Sequence, residues 1–202
     1  ARQAQRAGQI IQRIRSFVKR SEPNRTLSEV ASMVGEAVEL AEIEMRRRNV
    51  RLMHHVAVRL PLVMVDPILI EQVLVNLLKN AAEAIDTAQR PTARRSVELR
   101  VTTKAVEGKS VVEFSVMDSG KGIAPEVMDR LYEAFYSTKA DGMGIGLSLC
   151  RSIVESHQGR MKAENIYNGA DVTGCHFSFW IPVADTLAVT GTLPDTQHSI
   201  LG

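Results

Sequence analysis

Cysteine is scarce in this 202-residue sequence, and its apolar runs are short. The two cysteines, Cys150 and Cys175, lack metal-ligand spacing and are too few for a disulfide framework, so we expect core thiols in a reducing compartment. No apolar run approaches the roughly 18 residues of a membrane span, and no signal peptide is recognisable. These absences predict a cytoplasmic location and no membrane contact. Because an initiator methionine is also lacking, we expect the chain to come from a longer protein.

What is present is typical of a soluble globular protein: 45% of the residues are hydrophobic and 24% are charged. Residues 1–25 carry seven Lys and Arg against one acid, Glu22. A basic arm is compatible with nucleic-acid binding. Its apolar residues, however, recur at helical intervals, which favours an amphipathic helix over residues 1–20 with a solvated basic face and no nucleic-acid partner. These apolar residues are Ala7, Ile10, Ile11, Ile14, Phe17 and Val18.

Periodicity and end signals predict the remaining elements. A capping box, Thr26-x-x-Glu29, predicts a helix from Thr26 to about Arg48, with Asn49 in the left-handed conformation. The other predicted elements are two strands within 50–65, a helix from Asp66-Pro67 to near Ile85, a hairpin of Ser96–Val106 and Ser110–Asp118, a short helix at about 125–131, a helix at Ile145–Ser156, and strands at about 160–165 and 174–181. This order predicts an α+β sandwich, an antiparallel or mixed sheet covered on one face by helices.

The helix that begins at Asp66 carries three amides, Gln72, Asn76 and Asn80, at intervals of four residues beside an apolar face. A buried amide without a partner costs on the order of 1–3 kcal/mol, so something should satisfy these side chains. Bonding to a neighbouring loop is one interpretation. The other is that amide oxygens coordinate Mg²⁺, which prefers oxygen ligands and usually arrives with phosphates.

Asp118-Ser119-Gly120-Lys121-Gly122 follows a strand whose apolar residues alternate, and Asp118 continues its inward face. A buried carboxylate needs hydrogen bonds, which a ligand amino group can supply. Glycines let a ligand approach the backbone closely. A turn capped by its own aspartate is the alternative. The segment is not a Walker A loop, because Ser115 and Gly122 stand where that pattern requires Gly and Ser or Thr.

Alternate glycines follow at Gly142-Met143-Gly144-Ile145-Gly146, leading into the helix that ends near Ser156. Exposed backbone N–H groups at a helix N-terminus suit an anion such as a triphosphate. The glycine spacing differs from both G-x-G-x-x-G fingerprints, which argues against a dinucleotide-binding fold and a protein serine/threonine kinase.

Taken in order, these segments resemble the catalytic domain of sensor histidine kinases, members of the GHKL ATPase superfamily with the Bergerat fold. The sequence of residues 135–148 looks most like that of the FixL-type subgroup. The resemblance covers about residues 26–183 and implies a mixed sheet with helices on one face. The matching segments are Asp66–Ala84 (N box), Asp118–Gly122 (G1 box), Leu131–Lys139 (F box), Gly142–Leu147 (G2 box), His157–Gly159 (the His-Gly-Gly end) and Gly174–Pro182 (the final strand).

This resemblance implies ATP and Mg²⁺ as cofactors. It implies catalytic roles for Asn76 and Asn80, with Asn80 as the Mg²⁺ ligand, and a hydrogen bond from the adenine amino group to Asp118. The other implied nucleotide contacts are Lys79, Gly120, Gly122, Ile123, Phe135, Thr138, Lys139, Gly142, Gly144, Ile145, Gly146 and Leu147. Three residues depart from the family pattern: Ala134 replaces a proline, Gln158 a glycine, and Cys175 a frequent threonine near the adenine.

Residues 1–25 then resemble the second helix of a dimerisation hairpin and its linker, and we expect a homodimer in the full-length protein. Residues 184–202 are expected to be a disordered tail. No histidine falls in residues 1–20, so the phosphate acceptor is expected before Ala1, and His54 and His55 are expected on a strand. The implied activity is transfer of the ATP γ-phosphate to that histidine and then to a response regulator receiver domain.

Two other functions are compatible with the fold. A GHKL ATPase that hydrolyses ATP needs a catalytic glutamate to activate water, and the corresponding residue here, Asn76, is an amide that cannot act as a general base. A scaffold that does not bind nucleotide would have no need of Asn80, Asp118 and the glycine-rich segment.

Overall fold

A computed structural model describes residues 23–89, 91–134, 136 and 145–185. The helices are α1 (Val30–Arg47), α2 (Pro67–Thr87), α3 (Pro125–Met128) and α4 (Gly146–Ser156), with a 3₁₀ turn at Thr92–Arg94. The strands are β1 (Thr26–Ser28), β2 (Arg51–Val56), β3 (Val63–Val65), β4 (Ser96–Val106), β5 (Lys109–Asp118), β6 (Arg160–Asn168) and β7 (Asp171–Pro182).

Five strands form the main sheet, in the order β2-β4-β5-β7-β6. β2 runs parallel to β4, and every other neighbouring pair is antiparallel. The short strands β1 and β3 pair separately as an antiparallel ribbon. The predicted mixed sheet is confirmed, and His54 and His55 lie on β2 as expected.

The core lies between this sheet and the helices. α2 packs on β4 and β5, α4 packs on β6 and β7, and α1 packs on α2 and β2. Alternate residues of β5 and β7 face this layer, where the rings of Phe114 and Phe179 stack with centroids 4.6 Å apart. The same alternation carries Asp118 to the inner end of β5, directly opposite Cys175 on β7.

The end of α1 and the turn between β4 and β5 both contain residues in the left-handed conformation. Asn49 ends α1 in the left-handed conformation, with φ of 52°, as predicted. The Val50 N–H then bonds the Met45 carbonyl at 2.9 Å, which completes a Schellman motif. Glu107 and Gly108, both at positive φ, form the two-residue turn between β4 and β5.

The predicted capping box at Thr26 is wrong. Residues 26–28 form β1, which pairs with β3, and α1 begins only at Val30, with Glu29 as an N-cap that makes no side-chain bond. The Thr26 hydroxyl instead meets the Ser28 hydroxyl at 3.2 Å. Pairing with residues distant in sequence therefore outweighs the local capping signal.

The other predicted boundaries differ by a few residues. α2 continues past Ile85 to Thr87, α3 ends at Met128 rather than near 131, and α4 begins at Gly146. β6 and β7 are both longer than predicted. The predicted helix over 1–20 and nearly all of the predicted tail lie outside the described residues, so both stay predictions.

Candidate functional site

α2 presents the predicted amide stripe toward the first turn of α4. Asn76 is half-buried, and its Nδ2 donates to Cys150 Sγ at 3.2 Å. A Cβ on Gly146 would lie 3.0 Å from Asn76 Nδ2 and 3.1 Å from its Oδ1, so a larger residue here would require the Asn76 side chain to shift. The structure thus brings together the predicted N-box amide and the last glycine of the predicted phosphate loop.

Further along the stripe, Asn80 is half-buried and Lys79 is exposed on the adjacent surface. Lys79 Nζ lies 4.0 Å from Glu83 Oε1, a surface pair that contributes little to stability. Gln72 is exposed and needs no partner within the protein. The stripe therefore places two amides, Asn76 and Asn80, on the site side of α2.

Asp118 is 6% exposed at the end of β5. Its Oδ1 accepts hydrogen bonds from the Gly120 N–H at 2.7 Å and the Cys175 N–H at 3.3 Å. Burial raises the pKa of Asp118 from 3.8 to about 6, since the two N–H bonds compensate only in part. The carboxylate is held in a fixed orientation at an energetic cost to the unliganded fold.

The loop after Asp118 approaches α2 closely. A Cβ on Gly120 would lie 2.9 Å from Ala84 Cβ, which explains the glycine. Gly174 on β7 is needed for the same reason, because its Cβ would lie 1.9 Å from the Asp118 carbonyl oxygen. Small residues on three elements therefore allow the Asp118 carboxylate to lie beside α2.

Asn165 on β6 anchors the far end of this loop, a role that sequence reasoning missed. Its Oδ1 accepts from the Ile123 N–H, and its Nδ2 donates to the Ile123 carbonyl, both at 2.8 Å. Gly122, at φ of 76°, passes so close that a Cβ would lie 2.8 Å from Asn165 Oδ1. The only signal in the sequence is an asparagine inside a strand, where that residue is disfavoured.

An ion cluster fixes the C-terminal end of α2, and it was also not predicted. Asp86 receives hydrogen bonds from Arg95 and Arg48, and the Arg95 guanidinium also donates to the Arg48 carbonyl at 2.7 Å. Burial acts to raise the pKa of Asp86, but the hydrogen bonds from Arg95 and Arg48 outweigh it and lower the pKa. The cluster ties α2 to α1 and to the start of β4.

Asp66 joins three segments at the other end of α2. Its Oδ1 accepts from the Leu69 N–H at 3.4 Å, which confirms the predicted N-cap. Its Oδ2 accepts from the Asn24 N–H at 3.1 Å, and its own N–H donates to His157 Nε2 at 3.0 Å. The helix that carries the amides is thus attached to the segment that precedes β1.

His157 is 3% exposed, and its Nδ1 donates to the Ile153 carbonyl at 2.8 Å while Nε2 accepts. Burial lowers the pKa of His157, with the charge of Arg25 as a lesser cause, so the ring is neutral at pH 7. His157 is a structural bridge between α4 and α2.

Gln158 adopts the left-handed conformation, with φ of 61°, at the position where the family pattern has glycine. The Gln158 N–H bonds the Glu155 carbonyl and the Gly159 N–H bonds the Val154 carbonyl, both at 3.0 Å, which is a Schellman ending of α4. A Cβ on Gly159 would lie 2.1 Å from the Trp180 carbonyl oxygen. The departure at Gln158 is thus accommodated by the backbone, whereas Gly159 has no room for a side chain.

Five predicted nucleotide contacts lie outside the described residues: Phe135, Thr138, Lys139, Gly142 and Gly144. Of the others in that region, Ile145 is buried, Gly146 is exposed and Leu147 is half-buried at the start of α4. The described part of the site is therefore built from α2, the loop after β5, the start of α4, and the strands β6 and β7.

The donors that this site offers to a cation are amide oxygens on α2. Asn76 directs its nitrogen to Cys150, which leaves its oxygen for a cation or a donor. Mg²⁺ is commonly held by one or two protein oxygens together with phosphates and water, so Asn76 and Asn80 fit a magnesium–nucleotide complex.

Comparison with known proteins agrees with this geometry. Residues 65–185 match the family described as histidine kinase-, DNA gyrase B-, and HSP90-like ATPases. The chain is 40% identical over 185 residues to the sensor protein FixL of Bradyrhizobium diazoefficiens, covering 92% of this chain and 34% of FixL. The chain therefore spans about a third of the length of that relative.

Solved structures give the same result. The catalytic domain of the histidine kinase ThkA is 29% identical with a TM-score of 0.62, and the match covers 79% of this chain and 96% of that domain. Full-length ShkA, solved in complex with AMPPNP, shares the fold at 24% identity and a TM-score of 0.67, over 87% of this chain and 34% of ShkA.

None of the helices in the described residues has the length and apolarity required to cross a bilayer. The strands β4 to β7, the amide stripe on α2 and the buried carboxylate at the end of β5 all lie within the matched region. The chain belongs to the family of histidine kinase-, DNA gyrase B-, and HSP90-like ATPases.

Proposed function

We propose that this chain is the ATP-binding catalytic domain of a sensor histidine kinase. In the proposed reaction the ATP γ-phosphate passes to a histidine of the full-length protein and then to an aspartate of a response regulator. Residues 26–183 form the catalytic domain in this proposal, and residues 1–25 are the second helix and linker of a dimerisation hairpin in a homodimer. The protein acts in the cytoplasm.

The observation that carries the proposal is the geometry of the Asp118 carboxylate. Within the described residues, both hydrogen bonds that it accepts fall on Oδ1, from Gly120 and Cys175. Oδ2 therefore keeps its acceptor capacity for a ligand. The adenine amino group is a donor of suitable size, and its hydrogen bond to an ionised carboxylate contributes about 1.5–3 kcal/mol.

The phosphate end of the nucleotide lies toward α2 and α4. Asn80 and Asn76 supply amide oxygens for the Mg²⁺ that accompanies the phosphates, and Lys79 supplies positive charge at the rim. Gly146 begins α4, where backbone N–H groups that have no partner within the helix, together with the helix dipole, favour an anion. Magnesium neutralises phosphate charge when bound, and the protein residues position the γ-phosphate for transfer.

Transfer to histidine is favoured over hydrolysis by the chemistry of Asn76. A neutral amide cannot remove a proton from water, and its nitrogen is engaged with Cys150 Sγ at 3.2 Å. Hydrolysis that drives a conformational change is the second candidate. It predicts steady release of inorganic phosphate from the isolated chain, whereas the kinase proposal predicts almost none.

The test is isothermal titration of the chain with Mg²⁺ and AMPPNP, ADP or GTP at millimolar concentration. We expect adenine nucleotides to bind and GTP to bind at least tenfold more weakly, because guanine presents an acceptor where adenine presents its amino donor. Phosphate release from ATP and Mg²⁺, measured on the same protein preparation, separates the two candidates. Absence of heat with every adenine nucleotide would refute the proposed function.

A further inference from the structure

Three inward-facing side chains form one row across β5, β7 and β6. Asp118 on β5 lies opposite Cys175 on β7, and Cys175 lies opposite Asn165 on β6. Asn165 belongs to the face that the helices cover, because Met161 and Ala163, at alternate positions before it, pack against the core. The loop that leaves β5 at Asp118 and is bonded to Asn165 therefore passes the end of β7 to reach β6.

This loop is held at both of its ends. At the first end, Asp118 Oδ1 accepts hydrogen bonds from the Gly120 N–H at 2.7 Å and the Cys175 N–H at 3.3 Å. At the second end, the Asn165 side chain accepts from the Ile123 N–H and donates to the Ile123 carbonyl, both at 2.8 Å. The position of the loop therefore depends on one carboxylate and one amide.

Asparagine suits this contact, although it is disfavoured in strands. A primary amide carries a donor and an acceptor side by side, so Asn165 pairs with both backbone groups of Ile123 as a neighbouring strand would. A serine at this position could replace only part of the contact, because its hydroxyl is a single, shorter group. An alanine would leave both backbone groups of Ile123 to water.

The loop has little room to shift toward the strands. Gly122 has φ of 76°, and a Cβ there would lie 2.3 Å from Val172 Cγ1 and 2.8 Å from Asn165 Oδ1. Ile123 is half-buried and packs against the core. Contact with β6 and β7 thus prevents movement toward the sheet, and the two bonds from Asn165 oppose movement away from it.

We propose that Asn165 is a positioning residue for adenine binding, because its two hydrogen bonds hold residues 120–123 where the base requires them. The inference rests on the proposed function, in which Asp118 accepts from the adenine amino group and the loop after Asp118 lies beside the base. A base that bonds Asp118 must fit against this loop as Asn165 holds it. Asn165 acts through Ile123 and itself makes no contact with the nucleotide.

Removal of the two bonds frees the loop to adopt other positions. Only the molecules whose loop is in the competent position then bind, and the apparent Kd rises by the inverse of their fraction. With about a tenth of the molecules competent, affinity falls about tenfold, which corresponds to about 1.4 kcal/mol. This is the net contribution of one or two hydrogen bonds.

The test compares Asn165→Ala and Asn165→Ser with Asn168→Ala, a matched control at an exposed asparagine on the same strand. Urea denaturation first shows that each variant is folded, and each is then titrated with ADP and with adenosine. Asn165→Ala is expected to bind both ligands about tenfold more weakly and by the same factor, because the loss lies at the base. The affinity of Asn165→Ser should lie between those of Asn165→Ala and wild type, and Asn168→Ala should match wild type.

Four results would overturn the inference or its basis. Wild-type affinity of Asn165→Ala for ADP, with only a lower unfolding midpoint, would make Asn165 purely structural, although the proposed function would survive. Weaker binding of ADP but not of adenosine would place the loop at the phosphates instead of the base. The same loss in Asn168→Ala, or no recovery in Asn165→Ser, would show that the bonds to Ile123 do not position the loop. Failure of the wild-type chain to bind ADP would refute the proposed function itself.

Discussion

The substitution Asp118→Asn should stabilise the fold and weaken nucleotide binding at the same time. The carboxylate is 6% exposed, and its pKa is raised from 3.8 to about 6. A difference of about two pKa units corresponds to roughly 3 kcal/mol of penalty to the unliganded fold at neutral pH. Asparagine keeps an Oδ1 that can accept from Gly120 and Cys175, so the variant should gain about 1–3 kcal/mol of unfolding free energy.

Nucleotide affinity should move in the opposite direction. In the proposed complex the amide would turn its NH₂ toward the adenine amino group, so that a donor faces a donor. The lost contact corresponds to about 1–3 kcal/mol, or roughly tenfold to more than a hundredfold in Kd. Urea denaturation without ligand and calorimetric titration with ADP measure the two effects on the same preparation.

The pH dependence supplies a control. Because the folded pKa of Asp118 lies above its unfolded value, wild type loses stability from this group as pH rises from about 4 to 6, and the penalty is complete above pH 6. The stability advantage of Asp118→Asn should therefore shrink as pH falls toward 4. Wild-type ADP affinity should fall about tenfold between pH 7 and pH 5 as the carboxylate protonates, with a smaller change in the variant. Lower stability of the variant together with unchanged ADP binding would refute this reasoning.

Other predictions follow from single contacts. Gln158→Gly should raise the unfolding free energy by about 1 kcal/mol in urea, since φ of 61° suits glycine, whereas Gln158→Ala should not. Gly174→Ala should lower it by about 1–3 kcal/mol or more and displace Asp118, since the new Cβ would lie 1.9 Å from the Asp118 carbonyl oxygen; wild-type stability and ADP affinity would disprove this. His157→Phe should lower the free energy of unfolding by about 1–3 kcal/mol, because it removes the acceptor for the Asp66 N–H. Since the pKa of His157 is lowered in the folded state, wild type should lose stability as pH falls below about 6.5, and the variant should not show that loss. The 202-residue chain should acquire no acid-labile, base-stable label from γ-labelled ATP, since residues 1–20 contain no histidine, and label on any of its five histidines would contradict the proposed domain division.

Local periodicity predicted the elements that carry the site. Alternation along β5 placed Asp118 on the inner face, because the strand period of two leaves no choice once Phe114 is buried. Asp66-Pro67 marked the start of α2 because capping is a local interaction, and Asn49 marked the end of α1 for the same reason.

Contacts between residues distant in sequence could not be predicted in this way. Asn165 bonds Ile123 across 42 positions and His157 bonds Asp66 across 91, and neither local segment identifies the partner. The capping box at Thr26 failed for the same reason, because its fate depends on β3. A local pattern can identify a side chain that needs a partner, but the topology decides which partner it meets.

The attachment of Asp66 to Asn24 has a mechanical consequence. The backbone that enters the domain at residue 24 is hydrogen-bonded to the residue that caps the amide-bearing helix, and that residue is bonded in turn to His157 at the end of α4. A movement of the chain upstream of β1 would therefore reach the N-terminus of α2 through a direct hydrogen bond. In enzymes, misplacement of reacting groups by about 1 Å is enough to slow a reaction about a hundredfold. The segment that enters the domain is thus connected by hydrogen bonds to the N-terminus of the helix that carries Asn76 and Asn80.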